Sequence, residues 1–244
     1  MRICFVMLSL IFLLFYQQAT MLKIGHRGAS GYEPENTLRS FAKAIELGVD
    51  MIELDVHVCA SGELVVIHDE RVDRTTNGTG LVAAKTLQEL KMLDAGKGER
   101  IPTLSEVLDF VNRKVKVNIE LKGRGTAQPT AGVIEKYVQE NKWSYKDFFV
   151  SSYNHHELRT FQQYLPQVKT GAIIYSFPID YAAYAQELGS DAILAYENLN
   201  QAFVDDAHRR GLRVFVYTLN YPEDIAWVKS LGVEGIITDF PDRL

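Results

Sequence analysis

MIELDVHV, residues 51–58, sets two carboxylates and a histidine among aliphatic residues in strict alternation. A strand has a side-chain period of two, so Glu53, Asp55 and His57 share one face while Ile52, Leu54 and Val56 share the other. VNIELK, residues 117–122, repeats the pattern with Asn118, Glu120 and Lys122 opposite Ile119 and Leu121. Which face is buried depends on what surrounds these strands. Outward along the chain, the apolar runs LKIG, FFVSSY, TGAIIY, DAILAY, LRVFVYTL and GIITDF complete a set of eight core strands. Helical patterns lie between most of them, among them TLRSFAKAIELG, AGVIEKYVQEN, HELRTFQQYL, YAAYAQELG, QAFVDDAHRRG and PEDIAWVKSLG. Strand, helix, strand, helix with short connections means parallel strands joined by crossovers. Eight such units predict a closed (β/α)8 TIM barrel. An open doubly wound sheet is the alternative, but the GxGxxG turn that would support it is absent after the first strand. In a barrel the helices cover the outside with apolar contacts, so Glu53, Asp55 and Glu120 must point inward.

Two segments depart from the repeat. ELVVIHD, residues 63–69, reads as a short extension of the second unit, and the stretch of about 70–107 is too long and too rich in Gly and Thr for a plain connection. We expect it to form a small subdomain inserted after the second strand, near the active rim. Residues 1–20, MRICFVMLSLIFLLFYQQAT, carry one base followed by an apolar run too short for a comfortable membrane span. They read as an export signal or as an upstream extension of a domain that starts at Met21. The protein is expected in the cytoplasm if translation begins at Met21, and exported or membrane-associated if the segment is a signal. The barrel is assigned to 21–244, where the chain ends soon after the eighth strand with no room for a full closing helix. A formal charge of −5, from 31 acidic and 26 basic residues with no basic stripe, argues against a nucleic-acid surface. Two cysteines, Cys4 and Cys59, exclude a disulfide framework or a zinc ribbon, and Cys59 reads as a small packing residue.

The inward acids carry the chemistry. Carboxylates crowded on one wall repel and lose water, at a cost of several kcal/mol unless a cation joins them. Glu53, Asp55 and Glu120 offer oxygen only, which suits Ca²⁺ or Mg²⁺ better than zinc. The competing reading neutralises each with its own lysine or arginine. His26 ends the first strand and His68 ends ELVVI, and the carboxyl ends of barrel strands face the rim that hosts reactions. Two imidazoles with ordinary pKa near ~6.5 can divide the work of base and acid. His57, His155, His156 and His208 lack such companions. Arg27 offers a fork for phosphate oxygens and Lys122 a second positive charge on the same rim. A divalent cation, an arginine, a lysine and two histidines make a site for a phosphate ester.

The runs HRGASGYEPENT, ELDVHV, VVIHD, DRTTNGTG, IPTLSEVL, IELK and GIITDFPD, in that order from about Leu22 to Arg243, resemble the glycerophosphodiester phosphodiesterase family. The resemblance implies a TIM barrel with an insertion after the second strand, a divalent metal, and hydrolysis of small-molecule glycerophosphodiesters to sn-glycerol 3-phosphate and an alcohol. It places His26 and His68 as the acid–base pair and Arg27 and Lys122 at the phosphate. It makes Glu53, Asp55 and Glu120 the metal ligands. It leaves open which histidine is the acid, and whether the nucleophile is water or the substrate's own hydroxyl. His57, Cys59 and Ser61 depart from the family's usual Gln, Thr and Asp. Tyr153 stands where phenylalanine is usual and Tyr217 where tryptophan is usual, which makes both candidates for contact with the glycerol or alcohol part. A lipid-acting relative with phospholipase architecture, and a barrel that binds phosphorylated ligands without turning them over, are the alternative functions. The mixed, lysine-bearing insertion disfavours the first, and the presence of every candidate residue disfavours the second. Head group and oligomeric state are not encoded in any of these motifs.

Overall fold

The computed structural model describes residues 21–244, so the apolar segment at 1–20, read as a signal or an upstream extension, lies outside the described residues. Eight parallel strands close on themselves: β1 (Leu22–Gly25), β2 (Met51–Val58), β4 (Lys116–Leu121), β5 (Phe148–Ser152), β6 (Lys169–Ile174), β7 (Ala192–Tyr196), β8 (Arg213–Tyr217) and β9 (Gly235–Thr238). Each pairs with the next, and β1 pairs with both β2 and β9, which completes the ring. The remaining strand, β3 (Leu64–Val66), runs antiparallel to β2. Helices α1 (Leu38–Glu46), α3 (Leu104–Val111), α4 (Ala127–Glu140), α5 (His155–Tyr164), α6 (Ala183–Leu188), α7 (Gln201–Arg209) and α8 (Pro222–Ser230) fill the crossovers. After β9 comes only a 3₁₀ turn, Pro241–Arg243.

The helix starts are written locally. Thr37 caps α1 by accepting the Ser40 N–H, and α1 is followed by Gly48 at φ +75°. Thr103 and Glu106 form a reciprocal capping box on α3. Apolar side chains then sort into two layers. Ile52, Leu54 and Val56 of β2, and Val117, Ile119 and Leu121 of β4, join the large core between strands and helices. Ile24, Met51, Phe149, Ile173, Ala192, Leu194, Phe215 and Ile237 form a separate plug inside the barrel. Met51 shares its face with Glu53 and Asp55, so the acids stand on the inward face that the alternation predicted, directly above an apolar floor. Arg213 closes the base with its guanidinium 5.1 Å from the Phe215 ring centroid and 5.9 Å from that of Phe149. The floor is tightly filled: a Cβ on Gly171 would lie 2.4 Å from Leu194 Cδ1 and 2.8 Å from the Phe149 ring.

The insertion leaves the barrel after Val58 and returns at the cap of α3. It folds around a core of its own, with Cys59, Val65, Ile67, Val72, Val82, Leu90, Ala95 and Ile101 buried together, and contains α2 (Leu87–Lys91). Cys59 is a packing residue in that core. The hairpin also corrects the reason given for His68. Its strand is antiparallel, so its carboxyl end does not point to the rim by the parallel-strand rule. Instead β2 overshoots the rim, and β3 descends beside it until the Ile67 N–H donates to the Asp55 carbonyl at 3.0 Å. His68 reaches the reaction level from above. Among the described residues no helix is long and apolar enough to cross a membrane.

Candidate active site

The site begins with a strained turn. Arg27 takes φ +51°, a left-handed conformation that costs a non-glycine residue about 1–2 kcal/mol. The strain turns its backbone N–H onto Glu53 Oε2 at 2.8 Å. Asn36, also left-handed at φ +58°, returns its N–H to the Arg27 carbonyl and donates its side-chain amide to Asp55 Oδ2 at 2.8 Å. The HRG…EN loop thus orients both carboxylates of β2 with its own backbone and one buried amide.

Glu53, Asp55 and Glu120 converge, each giving an oxygen within 4.8 Å of the others. All three are buried, at 4%, 1% and 9% exposure. Burial and the neighbouring acids push the Glu53 carboxyl well above the usual carboxylate range. The same causes raise Glu120 to about 7, against the pull of Lys122. Burial acts on Asp55 in the same sense, but the charge of Arg27 leads the opposing contributions and holds it low. Asp55 Oδ1 and Glu120 Oε1 are buried without a hydrogen-bond partner among the described residues. Lys122 Nζ lies 3.0 Å from Glu120 Oε1 as an ion pair. The competing reading, a separate basic partner for each acid, holds for Glu120 beside Lys122 and for Asp55 near Arg27, but no basic side chain pairs with Glu53 among the described residues. Arg27 Nε is 3.5 Å from Asp55 Oδ2 and its Nη1 is spent on Glu35, while Glu53 has only the Arg27 backbone amide. A buried, unpartnered Asp55 Oδ1 converging with Glu53 and Glu120 oxygens in an oxygen-only set fits a hard divalent cation.

The histidines face this cluster with matching supports. His26 Nδ1 is 2.7 Å from Asp239 Oδ1, and His68 Nδ1 is 2.6 Å from Asp69 Oδ1. An ionised carboxylate only accepts, so Nδ1 carries the proton in each ring and Nε2 is left without a protein partner among the described residues. Asp239 is held in turn by Ser30 and Asn220, and Asp69 by Arg74, which also grips Glu35. Burial lowers the His68 pKa from its ordinary value, with Asp55 opposing.

His26, Arg27, Glu53, His68, Glu120, Lys122, Tyr153 and Tyr217 all line one cavity of about 160 Å³, and Asp55 joins it through the acidic cluster. Every residue singled out in the sequence is therefore brought together. Four supports were not anticipated: Glu35, Asn36, Asp239 and the hydrogen bond from His57 Nε2 to the His68 carbonyl at 3.0 Å. The first three sit inside quoted motifs; nearness in sequence to Arg27 was the available signal for Glu35 and Asn36, whereas Asp239 is 213 positions from His26. Tyr175 and Tyr196, also on the cavity wall, had one too: four successive strands, β5 to β8, end in or just before a tyrosine.

With this geometry in place, the family model described as the glycerophosphoryl diester phosphodiesterase family matches residues 26–243. The chain belongs to that family. A glycerophosphodiester phosphodiesterase of Caldanaerobacter subterraneus subsp. tengcongensis is 40% identical over 234 residues, covering 91% of this chain and 96% of the relative. One from Bacillus subtilis is 32% identical over 251 residues, covering 91% and 84%. Among solved structures, an Oleispira antarctica phosphodiesterase in complex with the product sn-glycerol-3-phosphate matches at a TM-score of 0.84 and 28% identity, covering 91% of this chain and 95% of that one. This family member is a phosphoric diester hydrolase with a cavity built for a small-molecule substrate and an acidic cluster suited to a divalent cation.

Proposed function

We propose that the protein hydrolyses glycerophosphodiesters, such as glycerophosphocholine or glycerophosphoethanolamine, to sn-glycerol 3-phosphate and the free alcohol. The observation that carries this reading is the convergence of Glu53, Asp55 and Glu120, with Asp55 Oδ1 buried and unpartnered among the described residues, facing two histidines that each rest on a carboxylate. Those three acids would hold Ca²⁺ or Mg²⁺, which when bound supplies positive charge to the phosphoryl oxygens. Arg27 and Lys122 take the phosphate: the buried Arg27 Nε has no hydrogen-bond partner, and Lys122 remains charged because Glu120 and Asp55 outweigh its burial. His26 and His68 divide proton transfer through their Nε2 atoms, one withdrawing the proton of the attacking oxygen and the other protonating the departing alkoxide. Asp239 and Asp69 keep the Nδ1 proton in place and stabilise whichever ring becomes cationic.

The test is release of glycerol 3-phosphate from glycerophosphocholine and glycerophosphoethanolamine by purified protein supplied with Ca²⁺ or Mg²⁺. EDTA is expected to abolish it. His26→Ala and His68→Ala should each lower kcat by about 10²–10⁴-fold. Near-wild-type turnover in either variant removes the acid–base assignment, and activity that survives complete chelation removes the cation.

A further inference from the structure

We infer that the side of the cavity facing the acidic cluster is an aromatic box for the quaternary ammonium of a choline-type leaving alcohol. Resting on the proposed diesterase reading, this specifies its substrate class. Barrel closure sets the two walls. In the ring order, β7 lies across from β2, β8 across from β4, and β6 across from β1. The staves bearing His26, Glu53, Asp55 and Glu120 therefore look toward those that end in or just before Tyr175, Tyr196 and Tyr217.

These three rings have mutual centroid distances of 6.2, 6.0 and 5.9 Å, and their planes are inclined by 55° to 69°. They form three inclined walls instead of a closed stack. Tyr153 is occupied differently: it stacks on Tyr175 at 4.6 Å and lies 5.5 Å from the Lys122 ammonium. One cation is thus already paired with an aromatic ring beside the phosphate position, and Tyr196, with the faces of Tyr175 and Tyr217 turned from Tyr153, is available to a second. Tyr175 is 65% exposed and Tyr196 37%, so both rings are open to a ligand entering the cavity they line. Ile173 and Leu194 lie in the cavity wall below them. Glu197 adds negative charge at the rim, where it raises the Tyr196 phenol pKa.

Ring faces attract a cation within about 6 Å and offer no strong acceptor. Over the ring faces, away from Glu197, a primary ammonium would lose hydrogen bonds to water, and a neutral alcohol would lose its own. A trimethylammonium has no N–H to satisfy and buries its methyl groups against the rings, so it forfeits least.

The experiment compares kcat/KM for glycerophosphocholine, for its uncharged 3,3-dimethylbutyl isostere, and for glycerophosphoglycerol. We expect the charged ester to be preferred over the isostere by about 10-fold or more. Tyr175→Leu and Tyr196→Leu, both at exposed positions, should each bring that ratio toward one, whereas Tyr175→Phe and Tyr196→Phe should retain it. Tetramethylammonium should compete with glycerophosphocholine in the wild type and lose potency in the Leu variants. Turnover of all three esters with no preference for the quaternary one, or a ratio unmoved by the Leu variants, overturns the box and leaves the diesterase reading standing. Failure to cleave any of the three overturns both.

Discussion

At the residue scale, the reactive groups owe their state to neighbours that do not touch substrate. Asn36 is the sharpest case, since its amide is the hydrogen-bond donor that fixes Asp55 Oδ2. Asn36→Ala should lower affinity for Ca²⁺ or Mg²⁺ by about 10–100-fold, the usual cost of losing a partner that orients a metal ligand, and calorimetric titration of the ion would read it directly. Asp239 allows a second test. Burial by itself would raise its pKa, but His26, Ser30 and Asn220 outweigh burial and hold it at about 2. A carboxylate depressed below its unfolded value of about 3.9 adds stability that is fully present above that value and lost as pH falls through about 2. The contribution is on the order of 2 kcal/mol. Asp239→Asn should therefore flatten the fall in stability between about pH 4 and pH 2, measured by urea unfolding at a series of acidic pH values. An unchanged slope would mean that Asp239 is no better held in the folded state than in the unfolded chain.

At the scale of elements, two features set the geometry on which the site depends. The floor beneath the acids is filled to contact around Gly171, so Gly171→Ala should cost about 1–3 kcal/mol by overpacking Leu194 and Phe149. A lower thermal midpoint would be the sign of it, whereas a neutral substitution would show that the plug can yield. Helix α3, which brings the chain back from the insertion to the barrel, starts from the Thr103–Glu106 capping box. Thr103→Ala should lose about 1 kcal/mol, seen as a shift in urea midpoint at unchanged slope. The alternation in MIELDVHV and VNIELK was readable because period two is a local property. The direction of β3 was not. Its residues show only a short apolar run, and nothing in that run tells whether the strand ascends with the barrel or descends as the arm of a hairpin.

At the scale of the molecule, barrel closure assembles the acidic trio from two adjacent strands and confronts it with imidazoles from β1 and from the end of the hairpin. Three buried carboxylates are poorly tolerated as anions, as the raised pKa of Glu53 and Glu120 shows. A cation that binds only the folded state should stabilise the whole barrel. At one hundred times its dissociation constant the gain is about 2.7 kcal/mol, and differential scanning calorimetry should show the thermal midpoint rising with added Ca²⁺ or Mg²⁺. Glu120→Gln should weaken that dependence, and a midpoint indifferent to both ions in the wild type would exclude the cluster as a cation site.

What the sequence determined by itself was periodic or adjacent: eight apolar strands with helices between them, a helix boundary at Thr37, acids on the inward face of β2 and β4, and Asp69 next to His68. These follow from side-chain period and from the few residues that can start or stop a helix. Tertiary structure decided what depends on distance between remote segments. It paired His26 with Asp239 across the seam of β1 and β9, set Asn36 against Asp55, and brought β3 down to deliver His68. It also stood three tyrosines opposite the acids, because only closure of the ring determines which strands face one another.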